Sequence, residues 1–123
     1  MRKHGDWWIT NSERVYNNSL RTKLVIPETD PLWWRGEIEY YKQISSYFDL
    51  SYNMFVDVGS SYGFIARPVS KIYKHVYCFE PNPEVYACLK VNMKGIDNVT
   101  LHRQGLSNRK NSCLLYTSPS PRD

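Results

Sequence analysis

Two apolar runs, each closed by turn residues, constrain this 123-residue chain more than anything else in it. The first is Phe55-Val56-Asp57-Val58-Gly59, continuing through Ser60, Ser61 and Tyr62 to Gly63; the second is Val76-Tyr77-Cys78-Phe79, ending on Glu80. The glycines stand four positions apart, and the acid follows the first of them by 21 residues. A glycine where a strand ends lets the backbone turn tightly and approach a ligand, and the helix that follows presents unpaired N–H groups and a partial positive charge. An acid at the tip of the next parallel strand is placed to take both hydroxyls of a ribose. The order predicts an α/β unit with a nucleotide-cofactor site at the carboxyl ends of its strands.

Glycine spacing separates two kinds of cofactor. A dinucleotide site needs G-x-G-x-x-G so that a pyrophosphate can sit against the backbone. Here the pattern is Asp57-x-Gly59-x-x-x-Gly63. The middle glycine is missing, and a carboxylate inside the turn repels a pyrophosphate while favouring an ammonium or sulfonium group. The pattern resembles motif I of the class I methyltransferases that use S-adenosylmethionine. That resemblance implies Asp57 beside the methionine amino group and Glu80 on the ribose.

The words Phe79-Glu80-Pro81-Asn82-Pro83, taken with Phe55 to Gly59 and with Gly105-Leu106-Ser107-Asn108, narrow the resemblance to the FkbM-type methyltransferases. It covers roughly residues 54 to 108. It implies a Rossmann-like α/β fold, S-adenosylmethionine as cofactor, and methyl transfer to a hydroxyl of a sugar or small natural-product-like acceptor. The implied cofactor contacts are Asp57, Gly59, Ser60, Gly63, Glu80, Pro81 and Asn82. A common family form has Ala and Asn where this chain has Ser60 and Ser61; serines keep short side chains and helix-capping oxygens. The resemblance names no catalytic base and no metal.

Residues Cys113 to Asp123 match, residue for residue, one reading frame of a transposase-type sequencing adapter, and are set aside as non-native. Three segments result: an irregular and helical N-terminal extension over 1–53, the first half of a Rossmann-like domain over 54–112, and the adapter-derived tail over 113–123. A complete domain of this kind needs further strands and helices, so the expectation is a gene product truncated after about the third strand, with any catalytic base beyond Ser112. The bare edge of a parallel strand invites misassembly.

The formal charge of +4 is unchanged by trimming the tail, since Arg122 and Asp123 cancel. No run of Lys or Arg resembles a nucleic-acid arm, and no apolar run approaches the roughly 20 residues that span a bilayer. The start, Met1-Arg2-Lys3-His4-Gly5-Asp6-Trp7-Trp8, lacks a signal core. A cytoplasmic protein without a nucleic-acid role or membrane span is expected. Cys78 and Cys88 read as small buried hydrophobes, with neither a disulfide framework nor zinc spacing.

Along the chain, residues 1 to about 35 read as irregular, broken by Pro27 and Pro31, with Leu24-Val25-Ile26-Pro27 a short strand at most. Ile38, Tyr41, Ile44, Tyr47 and Phe48 recur at helical spacing and predict an amphipathic helix from Glu37 to Phe48. Met54 to Val58 is expected to be a strand covered on both faces. Asp57 within it must lie at the strand's mouth, be hydrogen-bonded, or be functional. Phe64, Ile65, Val69, Ile72 and Tyr73 suggest a helix that Pro68 kinks or restarts near Arg67. The next helix is capped by Asn82, with Pro83 first and Glu84 in its first turn; Val85, Leu89 and Met93 form its stripe and Gly95 its end. Val99-Thr100-Leu101 is a third strand.

Plain alternatives stand beside each assignment. The Asp57–Gly63 turn can be an ordinary strand-to-helix connection, Glu80 a helix cap, and the Pro81-Asn82-Pro83 run a device for starting the helix. His4, His75 and His102 are scattered. The pairs Trp7-Trp8 and Trp33-Trp34 suit either packing or stacking on a sugar, and the loop from Gln104 to Leu106 sits where related enzymes contact adenine. Two other function classes stay open: a nicotinamide-dependent oxidoreductase of Rossmann type, and a non-catalytic carbohydrate-binding module using the aromatic N-terminal segment.

Overall fold

The computed structural model describes residues 1–11 and 31–108. In chain order the elements are β1 (Arg2–His4), β2 (Trp7–Ile9), α1 (Pro31–Tyr47), β3 (Met54–Val58), α2 (Ala66–Val69), β4 (His75–Phe79), α3 (Pro83–Asn92) and β5 (Val99–His102). The architecture is α/β, centred on a three-stranded parallel sheet in the order β3-β4-β5. Met54 pairs with His75 through to Val58 with Phe79, and Val76 pairs with Val99 through to Phe79 with His102.

Alternation along each strand sorts the side chains onto two faces. Phe55, Asp57, Val76, Cys78, Val99 and Leu101 share one face; Met54, Val56, Val58, His75, Tyr77, Phe79, Thr100 and His102 share the other. The core lies on the first face, where Val76 and Cys78 meet Ala66 and Val69 of α2, Leu89 and Met93 of α3, and Trp7, with Ile38 and Tyr41 of α1 packed alongside. The second face is not covered in the same way. Met54, Val56 and Val58 remain 58%, 46% and 60% exposed, so the expected two-sided burial of β3 does not occur among the described residues.

The N-terminus departs from the irregular segment expected. Residues 2–9 form an antiparallel hairpin, pairing Arg2 with Ile9 and His4 with Trp7 around Gly5 and Asp6. Gly5 has φ +56°, the left-handed conformation a two-residue hairpin turn demands. Trp7 and Ile9 are buried, so the hairpin is part of the packed body. The first helix also starts earlier than its apolar pattern suggests, at Pro31, because proline is well suited to a helix's first residue even though it breaks an interior. The Leu24–Pro27 segment and the tail from Cys113 lie outside the described residues.

After Gly63 the helix shrinks to four residues. Pro68 has no N–H to give to Phe64, and beyond it the chain tightens into i+3 bonds, Lys71 N to Pro68 O and Ile72 N to Val69 O. The helix after β4 begins as its sequence predicts: Asn82 Oδ1 accepts from the backbone N–H of Glu84 and Val85, and Pro83 is the first residue. It ends at Asn92 with Met93 as C-cap, ahead of Gly95, whose φ of +83° turns the chain away. Among the described residues no helix is long and apolar enough to cross a membrane.

Candidate functional site

Two backbone N–H groups turn the chain off β3. Those of Gly59 and Ser60 both donate to Phe79 O, at 2.8 and 3.0 Å. Gly59 adopts φ +78°, and a Cβ there would meet no atom within 4 Å. The backbone beside Gly59 is therefore open to an approaching ligand. Ser60 is buried and does two things at once: its hydroxyl donates to Asp57 O at 2.8 Å and accepts from the Phe79 N–H at 3.1 Å. It pins the end of the β3–β4 ladder, a role that alanine at this position cannot fill.

Glu80 joins two loops. Its Oε2 accepts from Ser61 N at 2.9 Å and its Oε1 from Asn82 N at 2.8 Å, while its own N–H donates to His102 O at 3.0 Å. Only 8% of the residue is exposed. Ser61 accepts φ +52° to make its contact, a conformation costly for a residue with a Cβ. Each carboxylate oxygen keeps a further lone pair, so Glu80 can hold both loops and still accept from hydroxyl groups. The helix-cap role weighed for Glu80 falls instead to Asn82, whose carboxamide accepts from the N–H groups of Glu84 and Val85, while Glu80 ties the two loops.

The Asp57 side chain points to the helix-covered face at the mouth of β3, opposite Cys78 in the parallel register. Its Oδ2 is buried and has no hydrogen-bond partner. Burial pushes this carboxyl above its ordinary value; the Ser60 hydroxyl pulls it back in part and the charge of Glu80 adds to the rise. An unpartnered buried carboxylate is costly and is relieved by a cation. Burial likewise lifts the Cys78 thiol to about 11.

Gly63, grouped with Gly59 from sequence, has a different use. At φ +87° a Cβ would strike Met93 Cε and come within 2.8 Å of Leu89 Cδ1. Its bare backbone lets α3 close against the turn. Pro81 is met from the third loop, where a Cβ at Gly105 would lie 3.9 Å from the Pro81 ring, and the Asn82 carboxamide is spent on capping α3. The four-residue α2 does not supply the long, dipolar helix N-terminus that the sequence pattern implies.

Asp57, Gly59, Ser60 and Glu80 therefore come together at the strand ends, with Pro81 and Asn82 as framework and Gly63 behind them. Two clefts, of about 440 and 350 Å³, lie elsewhere: one is lined by Met1, Thr10, Asn11, Glu84 and Ala87, the other lies between α1 and β3. Trp7 is in the core, edge-on to Phe64 at 4.7 Å with the Arg67 guanidinium 5.0 Å over its ring, so it is not a sugar-stacking surface. The side chains of His4, Trp33 and Trp34 lie outside the described residues. His75 shares a 2.8 Å hydrogen bond with Thr100, and His102 stacks on Phe79. Among the described residues no three His, Cys, Asp or Glu side chains gather as a metal site.

Sequence reasoning missed the Ser60 clip and Asn92. The second is buried on α3 and binds the hairpin through Trp8, 84 positions away, a separation that leaves no local pattern. No protein-family model, curated protein or solved structure matches this chain.

Proposed function

We propose that the chain carries the cofactor-binding part of a Rossmann-like class I methyltransferase of FkbM type, which methylates a hydroxyl on a sugar or small natural-product-like acceptor with S-adenosylmethionine. The observation that carries this reading is the pairing of two unlike carboxyl groups at the ends of adjacent parallel strands. Glu80 is anchored by two backbone N–H groups and retains acceptor capacity suited to a vicinal diol. Asp57 is half-buried with one buried, unpartnered oxygen, which suits the ammonium of a cationic amino acid and disfavours a pyrophosphate. The open backbone at Gly59 lies between them in the chain. When bound, the cofactor supplies a sulfonium leaving group, so that transfer rests chiefly on positioning of the acceptor.

Calorimetric titration with S-adenosylmethionine and with NAD tests the assignment. S-adenosylmethionine alone is expected to bind, and Asp57→Ala and Glu80→Ala, each first shown to melt cooperatively, are expected to weaken it at least about tenfold, the ~1.4 kcal/mol of one good polar contact. Binding of NAD alone would reassign Glu80 to an oxidoreductase, and unchanged affinity in both variants would remove the site.

A further inference from the structure

The turn between β3 and α2 is held in a conformation that its own residues do not favour. Gly63 N donates to Ser60 O at 2.8 Å and closes the turn, within which Ser61 takes φ +52°. A left-handed residue other than glycine persists only where its surroundings over-determine it. Glu80 supplies one restraint, through the Ser61 N–H. Further restraint falls on the next residue, Tyr62, and comes from the N-terminal hairpin and α3.

Tyr62 is buried and packs with Ile9 of β2 and Cys88 of α3, with Trp8, Phe64 and Val85 around them. A buried tyrosine hydroxyl needs a partner, and Thr10, the residue after β2, provides one: the two hydroxyls share a buried hydrogen bond at 3.0 Å. The Tyr62 carbonyl accepts from Asn92 Nδ2 at 2.9 Å, the same carboxamide that binds both backbone groups of Trp8. Side chain and carbonyl of this one residue are thus fixed from outside the turn. Its neighbour Ser61 is fixed from the other direction, by Glu80.

We propose that Tyr62 is a positioning residue for the cofactor site, with Thr10 as its anchor: together they keep Ser61 where its N–H orients Glu80. This role rests on the S-adenosylmethionine reading of the site. A carboxylate that takes two vicinal hydroxyl groups needs its plane fixed, and Glu80 is fixed at Oε1 by Asn82 N and at Oε2 by Ser61 N. The Asn82 end belongs to the capped start of α3. The Ser61 end depends on the strained turn. Once the Thr10 hydroxyl is removed, the turn is free to relax about Ser61, Oε2 loses its donor, and the open backbone at Gly59 shifts with it. The hairpin thereby shapes the site without forming its wall, and a small displacement of a positioning group is enough to weaken what it positions.

Three variants test it. Thr10→Val keeps the shape of threonine without its hydroxyl, Tyr62→Phe keeps the ring, and Thr10→Ser keeps the hydroxyl. Calorimetric titration with S-adenosylmethionine is run at a temperature where the thermal melt shows each chain almost wholly folded, so that lost stability alone does not lower affinity. The expected result is a Kd raised about fivefold in Thr10→Val and in Tyr62→Phe, the equivalent of about one neutral hydrogen bond, with Thr10→Ser close to the parent. The Ser61 amide proton, deshielded in the parent by its carboxylate acceptor, is expected to move upfield in the two weakened variants and to stay in place in Thr10→Ser. Parent affinity in both hydroxyl-deleted variants, or weakened binding with an unmoved Ser61 amide, would overturn the positioning role and leave the cofactor reading standing. A parent chain that binds no S-adenosylmethionine would overturn both.

Discussion

Ser61 donates its backbone N–H to Glu80 Oε2 at 2.9 Å, so the turn after β3 and the start of α3 are tied through one buried carboxylate. Glu80→Gln keeps the shape but presents an NH2 group to one of two N–H donors. One hydrogen bond is lost and a buried donor faces another donor, a mechanism that costs ~1–3 kcal/mol. Urea unfolding should place the variant about 2 kcal/mol below the parent chain; a difference within ~0.5 kcal/mol would mean that this tie contributes little.

Gly59 and Gly63 should respond differently to alanine. Both have positive φ, at +78° and +87°, so each substitution carries the ~1–2 kcal/mol strain of the left-handed region. At Gly63 the new methyl also strikes Met93 and Leu89, adding overpacking of ~1–3 kcal/mol. Thermal melts should therefore rank Gly63→Ala clearly below Gly59→Ala. Equal losses would show that α3 does not close on Gly63.

Much of the sheet was legible because its strands carry their own signals. Met54 to Val58 is an apolar run interrupted only at Asp57 and stopped by a glycine, and the Asn82-Pro83-Glu84 start of α3 is local chemistry that reads directly into the observed cap. What escaped was non-local or short. Three-residue strands have too little periodicity to register, although the Gly5-Asp6 pair at the hairpin turn was a usable sign. Apolar content said that β3 would be buried, but not that cover would come from one side only.

At the strand ends, which residues gather was legible and what each does for the fold was not. Gly59 and Gly63 look alike in a motif, and only their surroundings separate open approach from helix packing. Ser60 reads as a modest replacement for alanine until its hydroxyl is seen between Asp57 O and Phe79 N.

Asp57 makes stability depend on pH. Its carboxyl holds a proton more tightly in the folded chain than at its ordinary value of 3.8, so folding takes up a proton between the two values. Stability is lost as pH rises through that window, and the full cost is present above the folded value. Asp57→Asn removes the charge. Urea midpoints should show the parent chain closing on the variant as pH falls toward 3.8, relative to their difference at neutral pH. A difference independent of pH would indicate that Asp57 is solvated.

Cys78 has no exposed surface, and burial is the main reason its thiol is lifted to about 11. Thiolate is the reactive form, so native protein treated with iodoacetamide near pH 8 and mapped by mass spectrometry should leave Cys78 unmodified until denaturant is added. Rapid native labelling would mean that the β3–β4 sheet opens easily.

Asn92 decides whether the hairpin belongs to the folded body. Its Oδ1 accepts from Trp8 N at 2.7 Å, and its Nδ2 donates to Trp8 O and to Tyr62 O, both at 2.9 Å. One buried carboxamide thus satisfies three backbone groups, tying β2 to both α3 and the turn that holds Gly63. Asn92→Ala orphans all three, and at ~1 kcal/mol or more for each unsatisfied group the expected loss is about 3 kcal/mol. Asn92→Asp should be worse, because the donor facing two carbonyl oxygens becomes a charged acceptor. Hydrogen exchange separates this role from general destabilisation: in Asn92→Ala the Trp8 amide should exchange much faster while amides of β4 slow or quicken only with global stability. Equal acceleration at Trp8 and β4 would mean that the hairpin and sheet unfold as one unit, whereas no change at Trp8 would show that burial of Trp7 and Ile9, and not Asn92, holds the hairpin in place.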